Sequence, residues 1–297
     1  MNIENLKTFI TLSELKNFTQ TADRYYIVQS TVTNRIMELE KELGKKLFVR
    51  NRKNVELTDE GHHFLSYAKR IVALEASAIA ELSMLHTFSE TLRIGTVNTV
   101  YECYLLSSVK EYIHNHPDIS VKVMIDHSGP LLRMLQDGTL DIVFSYVPLK
   151  KTSISCHPFH SDELVLVTAP MHTEYRDGIY QAQLPDVNYL YCDFMIQDNG
   201  TFIRDMFPKN YSFSFEIDKL THLPAYLTSG IGYSFLPKSL AQSYLDDGSL
   251  ISVPLLDFQA PTIQSFVILP ESKMEHTSIT NFIATLSKEL PLYEKES

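Results

Sequence analysis

The stretch that decides the fold covers residues 18–50 and reads FTQTADRYYIVQSTVTNRIMELEKELGKKLFVR. Four apolar residues in its middle are spaced four, three and four apart: Val32, Ile36, Leu39 and Leu43. That spacing is typical of one buried face of an α-helix. Gly44 follows the last of them, and glycine is common just past a helix end. The stretch therefore predicts a helix from about Gln29 to Leu43.

Two shorter helices and a hairpin are predicted around this helix. Near the N-terminus, apolar residues recur at helical spacing: Ile3, Leu6, Phe9 and Ile10. Thr19 is a suitable N-cap for a second short helix that carries Ala22. Residues 47–49 and 55–57 have the composition of two short strands around a polar, basic turn. Three helices followed by a hairpin form a winged helix-turn-helix, which is a DNA-binding arrangement.

The charge distribution agrees with DNA binding, although the net charge of −10 does not. Residues 1–60 hold ten Lys and Arg against nine Asp and Glu, a balance of +1, which leaves −11 for the remainder. Five of these Lys and Arg residues lie within 45–56, beside one acidic residue. A local basic patch can bind phosphates while an acidic body limits non-specific adhesion to DNA.

A long helix is predicted after the hairpin, because residues 58–116 contain no Pro and residues 62–94 contain no Gly. Seven of its residues alternate four and three apart, as in a coiled-coil seam: Phe64, Ala68, Ile71, Glu75, Ala78, Leu82 and Leu85. A second copy of the chain is the partner that this stripe predicts, which makes the protein a homodimer. The alternative is a helix that packs on its own domain.

From Leu92 the pattern changes to alternating strands and helices, which predicts an α/β sheet covered by helices. The first strands are expected at residues 92–95, 119–125, 141–146 and 163–168, and the first helices at 104–114 and 131–136. This part of the chain is long for a single sheet. Two lobes with a ligand cleft between them fit its length better.

The segment from Phe18 to Gly61 resembles the LysR-type transcriptional regulators. It contains that family's LGxxLFxR pattern at residues 43–50 and its LTxxG pattern at residues 57–61. The resemblance extends over the rest of the chain through three shorter segments, at residues 93–95, 138–142 and 230–237. It implies a sequence-specific DNA-binding regulator whose activity is modulated by a small-molecule effector bound between two lobes.

The resemblance also implies the organisation of an α+β multidomain protein. A winged helix-turn-helix, a dimerising linker helix and an effector-binding α/β domain similar to periplasmic binding proteins are expected at residues 1–58, 59–90 and 91–297. Lobe 1 of the last domain is expected at about 91–160 and 266–297, and lobe 2 at about 161–265. The implied assembly is a homodimer, paired into a homotetramer, on an inverted-repeat promoter site in double-stranded DNA. RNA polymerase is left open as an additional partner.

The DNA-reading residues are expected on the face of the third helix that is opposite its apolar stripe. Asn34 can form two hydrogen bonds with adenine, and Met37 can contact a thymine methyl group. Arg50, Arg52 and Lys53 in the hairpin are expected to meet the DNA backbone or the minor groove. The complete set predicted to contact DNA is Gln29, Ser30, Thr31, Thr33, Asn34, Arg35, Met37, Arg50, Arg52 and Lys53. The alternative is a merely solvated surface.

The effector-binding residues are expected where strands pass into helices, because free backbone N–H groups and the helix dipole there attract anions. In the family, the positions that match Thr99, Ser128, Tyr146 and Thr201 line the effector pocket. The complete predicted set is Asn98, Thr99, Ser128, Tyr146 and Thr201. No arginine falls at these junctions, so a strongly anionic effector is not required. The alternative is that these hydroxyl groups serve only as helix caps.

No cofactor, metal site or catalytic site is expected. The histidines at 62–63 and 157–160 have no cysteine or acidic cluster at ligand spacing beside them. Gly230-Ile231-Gly232 is only half of a dinucleotide fingerprint. An apolar run long enough to span a membrane and a secretory signal are both missing from the sequence, and its three cysteines are far apart. A cytoplasmic protein without membrane association is therefore expected.

Two rival functions remain open at this point. In the first, the chain is a cytosolic solute-binding or enzymatic α/β protein whose N-terminal helices serve only oligomerisation. In the second, it is a ligand-independent repressor with an empty cleft. DNA binding distinguishes the first rival, and ligand binding distinguishes the second.

Overall fold

A computed structural model of the 297-residue chain describes residues 1–50, 55–84, 88–192, 202–260 and 262–286. The chain forms two compact units, residues 1–86 and 87–297. The predicted three-part division at residues 58 and 90 stays a prediction. Among the described residues, no helix is both long enough and apolar enough to cross a membrane.

The first unit is three helices, a hairpin and a long fourth helix. Its elements are α1 (Ile3–Leu15), α2 (Phe18–Arg24), α3 (Gln29–Leu43), β1 (Phe48–Arg50), β2 (Val55–Leu57) and α4 (Asp59–Met84). The strands β1 and β2 are antiparallel, with Phe48 opposite Leu57. The helix predicted from Gln29 to Leu43 has the bounds of α3. Gly44 ends it in the left-handed conformation, with φ of 65°.

The N-cap of α2 is Asn17, so the prediction of Thr19 as the cap is wrong. The Asn17 side-chain oxygen accepts hydrogen bonds from the backbone N–H groups of Thr19 and Gln20, at 2.9 and 3.1 Å. Asn17 has extended backbone angles, whereas Thr19 already lies inside the helix. Because asparagine and threonine are both good capping residues, the sequence alone does not decide between positions two residues apart.

The core of the first unit joins α1, α3 and α4 to the hairpin. The fully or nearly fully buried apolar residues of this core are Leu6, Phe9, Leu12, Ile36, Leu39, Leu47, Phe48 and Ala68. Burying one such Leu or Phe side chain contributes about 1.5–3 kcal/mol. Gly61 lies close to this core, where an added Cβ would come within 2.2 Å of the Leu47 carbonyl oxygen. That contact explains the glycine of the LTxxG pattern.

Buried Glu40 fastens the hairpin to α3. Its carboxylate accepts hydrogen bonds from the Lys46 ammonium group at 2.7 Å and from the backbone N–H groups of Leu47 and Phe48 at 2.9 and 3.3 Å. Burial raises the pKa of Glu40, but these hydrogen bonds outweigh burial and hold it below the ordinary value. The hairpin therefore begins at a fixed position beside the last turn of α3.

The second unit is built on a seven-stranded sheet in the order β10-β6-β11-β5-β3-β4, with β9 also paired to β6. Its strands are β3 (Glu90–Thr96), β4 (Ile119–Ile125), β5 (Ile142–Ser145), β6 (Ile154–Thr168), β7 (Leu190–Cys192), β8 (Phe215–Ile217), β9 (Tyr233–Pro237), β10 (Ile251–Ser252) and β11 (Thr262–Pro270). The strands β3, β4 and β5 are parallel, and β7 pairs with β8 in a separate two-stranded sheet.

Two long antiparallel strands, β6 and β11, lie between β5 on one side and β9 and β10 on the other. Their pairing shifts between Gln264 and Phe266. The part of the unit that contains β3, β4 and β5 is called lobe 1 and the part that contains β7 to β10 is called lobe 2, while the residue bounds expected for the two lobes stay a prediction. The helices of the unit are α5 (Asn98–Val100), α6 (Leu106–Asn115), α7 (Ser128–Gln136), α8 (Phe202–Asp205), α9 (Leu223–Thr228), α10 (Lys238–Asp246) and α11 (Thr277–Leu286). Residues 101–105 form a π-helical turn between α5 and α6.

Two helices of lobe 1 begin earlier than the sequence predicts. The helix expected from residue 104 starts at Asn98, and the helix expected from residue 131 starts at Ser128. The residues just before them are Val97 and His127, which make no side-chain capping hydrogen bond. Because neither residue is a usual N-cap, the sequence carries no signal for these starts. Asn98, Thr99 and Ser128 therefore lie in first helical turns rather than in loops.

Candidate nucleic-acid interface and ligand cavity

The outer face of α3 carries most of the residues predicted to read DNA. Its inner face is fixed by the complete burial of Val32, Ile36 and Leu39. Four of the predicted residues are exposed on the helix: Gln29, Ser30, Asn34 and Met37. Thr31 and Thr33 are half-buried at the margins of that face. The surface thus offers two amide groups, a hydroxyl group and an apolar thioether to a partner.

Arg35 lies differently from the other predicted residues. Its guanidinium group donates a hydrogen bond to the Thr8 hydroxyl at 3.1 Å and lies 3.4 Å from the Glu4 carboxylate. The side chain is half-buried, and both contacts hold it against α1. Arg35 therefore stabilises the packing of α3 on α1 in this structure, and its contact with a DNA phosphate stays a prediction.

The basic residues of the hairpin turn fall largely outside the described residues. Arg52 and Lys53 lie outside them, and for Arg50 the backbone in β1 is what the structure describes. Their contact with DNA stays a prediction. A groove of about 480 Å³ lies along the second half of α3, and its lining includes Lys41, Lys45 and Lys46. Lys45 and Lys46 belong to the basic run that the sequence shows, but the sequence does not indicate that they lie beside the exposed face of α3.

The predicted seam of α4 is divided between two environments. Phe64, Ala68 and Ile71 pack on the core of their own unit, so the prediction that they face a second copy is wrong. Glu75 forms an ion pair with Lys7 of α1, at 3.4 Å. The same helical spacing fits packing on α1 or on a second copy of the chain, and in this structure α1 covers the first half of the stripe. Leu85 lies outside the described residues.

The second half of α4 leaves apolar side chains in solvent. Leu74, Ile79 and Leu82 are exposed, Leu82 to 67%. Ile79 and Leu82 continue the stripe that α1 covers further back along the helix. Apolar side chains at helical spacing on an uncovered helix face are typical of a contact with another helix.

A cavity between the two lobes of the second unit brings together three of the five predicted effector residues. Its lining consists of Val97, Asn98, Thr99, Asp126, His127, Tyr146, Asp218, Lys219 and Leu220. Ser128 lies directly behind this lining, where its hydroxyl oxygen accepts a hydrogen bond from the Tyr146 backbone N–H at 3.3 Å. Thr201 lies outside the described residues. The cavity volume of about 20 Å³ is enough for roughly one water molecule.

Buried hydroxyl groups lie in and directly behind the lobe 1 side of the cavity lining. Thr99 is 4% exposed and Ser128 is completely buried. Burial raises the pKa of the Tyr146 hydroxyl, and nearby Cys103 raises it further, while a hydrogen bond with Thr99 acts in the opposite direction. The net effect keeps Tyr146 neutral, so it can donate a hydrogen bond at any physiological pH.

Charged residues of this cavity are missing from the sequence-based prediction. Asp126 and His127 directly follow β4, while Asp218 and Lys219 directly follow β8. The junction after β4 could have been found by the same rule that selected Ser128. The strand β8 has three residues, which is too short to stand out in the sequence. Lys219 adds a cation that the search for arginines at the junctions overlooked.

Two polar contacts join the lobes beside the cavity. The Thr221 hydroxyl donates a hydrogen bond to the Asn98 side-chain oxygen at 2.5 Å. Further along, the Tyr104 hydroxyl of the π-helical turn donates to the Asp162 carboxylate at 2.7 Å, and the Ser239 hydroxyl at the start of α10 donates to the same carboxylate. Asn98 is therefore already engaged across the cleft.

The histidines near residue 160 take part in other contacts. The ring of His157 shares a hydrogen bond of 2.8 Å with the Ser155 hydroxyl, and the ring of His160 stacks on Tyr104 at a centroid distance of 4.0 Å. In the described part of the chain, no group of three or more His, Cys, Asp or Glu residues is placed to hold a metal ion.

Comparisons with known proteins assign both units. A family profile described as "Bacterial regulatory helix-turn-helix protein, lysR family" matches residues 3–62, and one described as "LysR substrate binding domain" matches residues 86–291. The regulator CitR of Bacillus subtilis is 29% identical over 285 residues, which cover 93% of this chain and 96% of CitR.

Full-length solved structures share the fold. The structure of CbnR complexed with its target DNA has a TM-score of 0.67 at 19% identity and covers 98% of this chain and 100% of that chain. The virulence activator AphB of Vibrio cholerae has a TM-score of 0.60 at 18% identity, with the same coverage. At this level of identity the likeness concerns the fold alone.

Proposed function

Because the chain belongs to the LysR family of bacterial regulatory helix-turn-helix proteins, we propose that two copies of it read an inverted-repeat promoter site through their α3 helices. The chain is a DNA-binding transcriptional regulator, and its second unit is a substrate-binding domain. A small molecule bound between the lobes of that domain modulates how the protein acts at the promoter. The binding residues and the assembly described below belong to this proposal.

The composition of the exposed face of α3 carries the DNA-reading part of the proposal. Asn34 projects from the middle of this face, where it can donate to and accept from the edge of an adenine. Ser30 is short enough to let the helix approach the bases closely, and Met37 offers an apolar contact for a thymine methyl group. The positions of Val32, Ile36 and Leu39 in the core fix the direction of this face.

The exposed apolar residues of α4 support the proposed homodimer. Leu74, Ile79 and Leu82 leave a strip that α1 does not cover. A second α4 helix would bury it, and two linked DNA-binding units would then read two half-sites of one promoter. Pairing of dimers into a tetramer, a cytoplasmic location and contact with RNA polymerase complete the proposal.

The cavity between the lobes supports the sensing part. Pockets that bind small molecules usually have volumes of about 300–1,000 Å³, whereas this cavity has about 20 Å³. An effector must therefore separate the lobes and replace the hydrogen bond between Thr221 and Asn98. Asp126, Asp218 and Lys219 are among the residues that line that space, so we propose a polar effector with at least one charged group.

The effector is bound and released without chemical change in this proposal. It shifts the protein between states only if it binds one arrangement of the lobes more tightly than the other. In the closed arrangement the lobes are held by direct contacts, and in the open arrangement they are bridged by the ligand. Thr99, Tyr146 and the predicted residues Ser128 and Thr201 would contact it.

An electrophoretic mobility shift assay with the full-length protein tests the function. The probes are fragments of DNA from upstream of its own gene, and the competitor is unlabelled random DNA. Retained complexes at a large excess of competitor are expected, with two protected half-sites about one helical turn apart in a footprint. A chain whose N-terminal helices serve only oligomerisation would give no fragment-specific complex.

A thermal-shift screen of polar metabolites then distinguishes a sensing regulator from a ligand-independent repressor.

A further inference from the structure

The turn between α2 and α3 contains a residue whose side chain and exposure the fold does not explain. Tyr26 has φ of 54°, in the left-handed region that side chains with a Cβ rarely adopt. Its side chain is 97% exposed, and no described residue forms a hydrogen bond with its hydroxyl group. Its neighbour Tyr25 is half-buried and shares a hydrogen bond of 2.9 Å with the Thr11 hydroxyl.

The left-handed conformation itself has a structural reason. The Tyr26 backbone N–H donates to the Asp23 carbonyl at 3.2 Å, and the Ile27 N–H donates to the Ala22 carbonyl at 3.0 Å. These two bonds close the end of α2 in the manner of a Schellman motif, which needs a left-handed residue at this position. Glycine takes that position at the least cost, because it has no Cβ.

The other helix ends of the first unit show the usual solutions. The helix α3 ends at Gly44, with φ of 65°. The helix α1 ends at Lys16, with φ of 50°, where a cation is favourable beside the negative end of the helix dipole. Tyr26 has neither advantage: its ring is in solvent and adds nothing to the core. Folding therefore explains a left-handed residue at this place but not a tyrosine.

Tyr26 lies three residues before Gln29, the first residue of α3. In a helix-turn-helix, the first turn of the recognition helix contacts the bases while flanking segments meet the DNA backbone. Tyrosine hydroxyl groups are among the donors that bind phosphate oxygens. We propose that Tyr26 binds a phosphate of the DNA backbone at the edge of the major groove through its hydroxyl group. This inference depends on the proposed reading of DNA by α3.

Two substitutions separate a DNA contact from a structural role. Tyr26→Phe removes the hydroxyl group alone, and Tyr26→Gly removes the side chain while it relieves the left-handed backbone. Tyr25→Phe is the matched control, since it removes the hydroxyl group that faces Thr11. Affinity is measured by fluorescence anisotropy with the full-length protein, on a duplex that the unmodified protein selects from a random library and on a random duplex. The melting temperature of each free variant is recorded in parallel.

Tyr26→Phe should weaken binding to both duplexes by the same factor, about two-fold to ten-fold. Because a neutral hydroxyl group displaces no counterion, the dependence of affinity on salt should stay unchanged. Tyr26→Gly should weaken binding at least as much without lowering the melting temperature, whereas Tyr25→Phe should leave affinity unchanged. Unchanged affinity in both Tyr26 variants would overturn the inference, as would a clearly lower melting temperature for Tyr26→Gly. Failure of the unmodified protein to select any duplex would instead overturn the proposed function.

Discussion

On the outer face of α3 the candidate recognition residues lie in solvent, whereas around the cavity of the second unit they are buried. Asn34 and Met37 are exposed, while Thr99 and Ser128 are almost or completely buried. The partner of the first surface is a DNA molecule that approaches from outside, so the surface can be formed in advance. The partner proposed for the second is a small molecule, which would have to enter between lobes that Thr221 and Asn98 already join.

This difference indicates where conformational change belongs in the molecule. The α3 surface is supported by a packed core and by Glu40, so DNA binding needs little rearrangement. The cavity has room for roughly one water molecule, so binding of an effector there would need the lobes to separate. A protein with a preformed output surface and a closed sensing site can couple the presence of a metabolite to promoter binding.

The largest effect is expected from a charge on the exposed strip of α4. Leu82→Asp should separate the dimer, because an unpaired carboxylate would be buried between two helices. Binding to a two-half-site promoter should then fall by a hundred-fold or more, on the order of 3 kcal/mol. Light scattering measures the mass. Ala73→Asp is the control, because Ala73 is exposed on the opposite face of α4. An unchanged mass for Leu82→Asp would place the interface elsewhere.

A loss of about 2–4 kcal/mol of unfolding free energy is expected for Glu40→Ala. The change leaves the buried N–H groups of Leu47 and Phe48 without a partner and frees the hairpin from α3. Chemical denaturation followed by circular dichroism measures it. Glu42→Ala is the control, because Glu42 is exposed and its contact is an ion pair with the N-terminus. Equal stability of the two variants would show that the hairpin is held by other contacts.

The charge of Glu40 has its own pH dependence. Its folded pKa lies below the ordinary value of 4.5, so its contribution is complete above about pH 4.5 and is lost as the pH falls through the lower folded pKa. Glu40→Gln keeps the size of the side chain and removes this titration. The stability difference between the unmodified protein and Glu40→Gln should therefore shrink below pH 4.5. A difference that stays constant down to pH 3 would contradict the assigned role of the charge.

Smaller effects of opposite sign are expected on the two sides of the cavity. Thr99→Val should raise the half-maximal effector concentration about two-fold to ten-fold, because one hydrogen bond to the ligand is lost. Thr221→Val should leave that concentration unchanged or lower it, because it removes a bond that closes the lobes. A reporter promoter titrated with the metabolite found in the thermal-shift screen measures both. Shifts of the same sign and size would indicate that the two hydroxyl groups serve only the fold.

How far the sequence predicts this molecule differs between the two units. The bounds of α3 follow from a complete apolar stripe and a terminal glycine, and the strand β4 follows from its alternating pattern. The start of α5 does not follow, because Val97 gives no capping signal. The sequence also does not decide what Phe64 and Ile71 pack against, because the same helical spacing fits contact with α1 or with a second copy of the chain.

The candidate sites show the same contrast. The reading face of α3 lies on one continuous helix, so a helical period alone indicates which residues share it. The cavity combines residues from α5, the end of β4, the end of β5 and the end of β8, which are far apart in the chain. Single junctions such as Asn98-Thr99 can be selected from the sequence, but Asp218 and Lys219 need the paired lobes to reveal their place. Sites that depend on tertiary approach are the part that sequence patterns leave out.

Base reading by Asn34 is the feature on which DNA recognition by α3 depends most directly. The measurement is the affinity of full-length Asn34→Ala for three kinds of DNA: the footprinted promoter site, each single-base-pair variant of one half-site, and random DNA. Asn210→Ala is the control, because Asn210 is exposed in the second unit. We expect Asn34→Ala to lose discrimination at one or two base pairs, by about 1–3 kcal/mol each, while its affinity for random DNA is unchanged. Equal losses on the specific and random duplexes would contradict it.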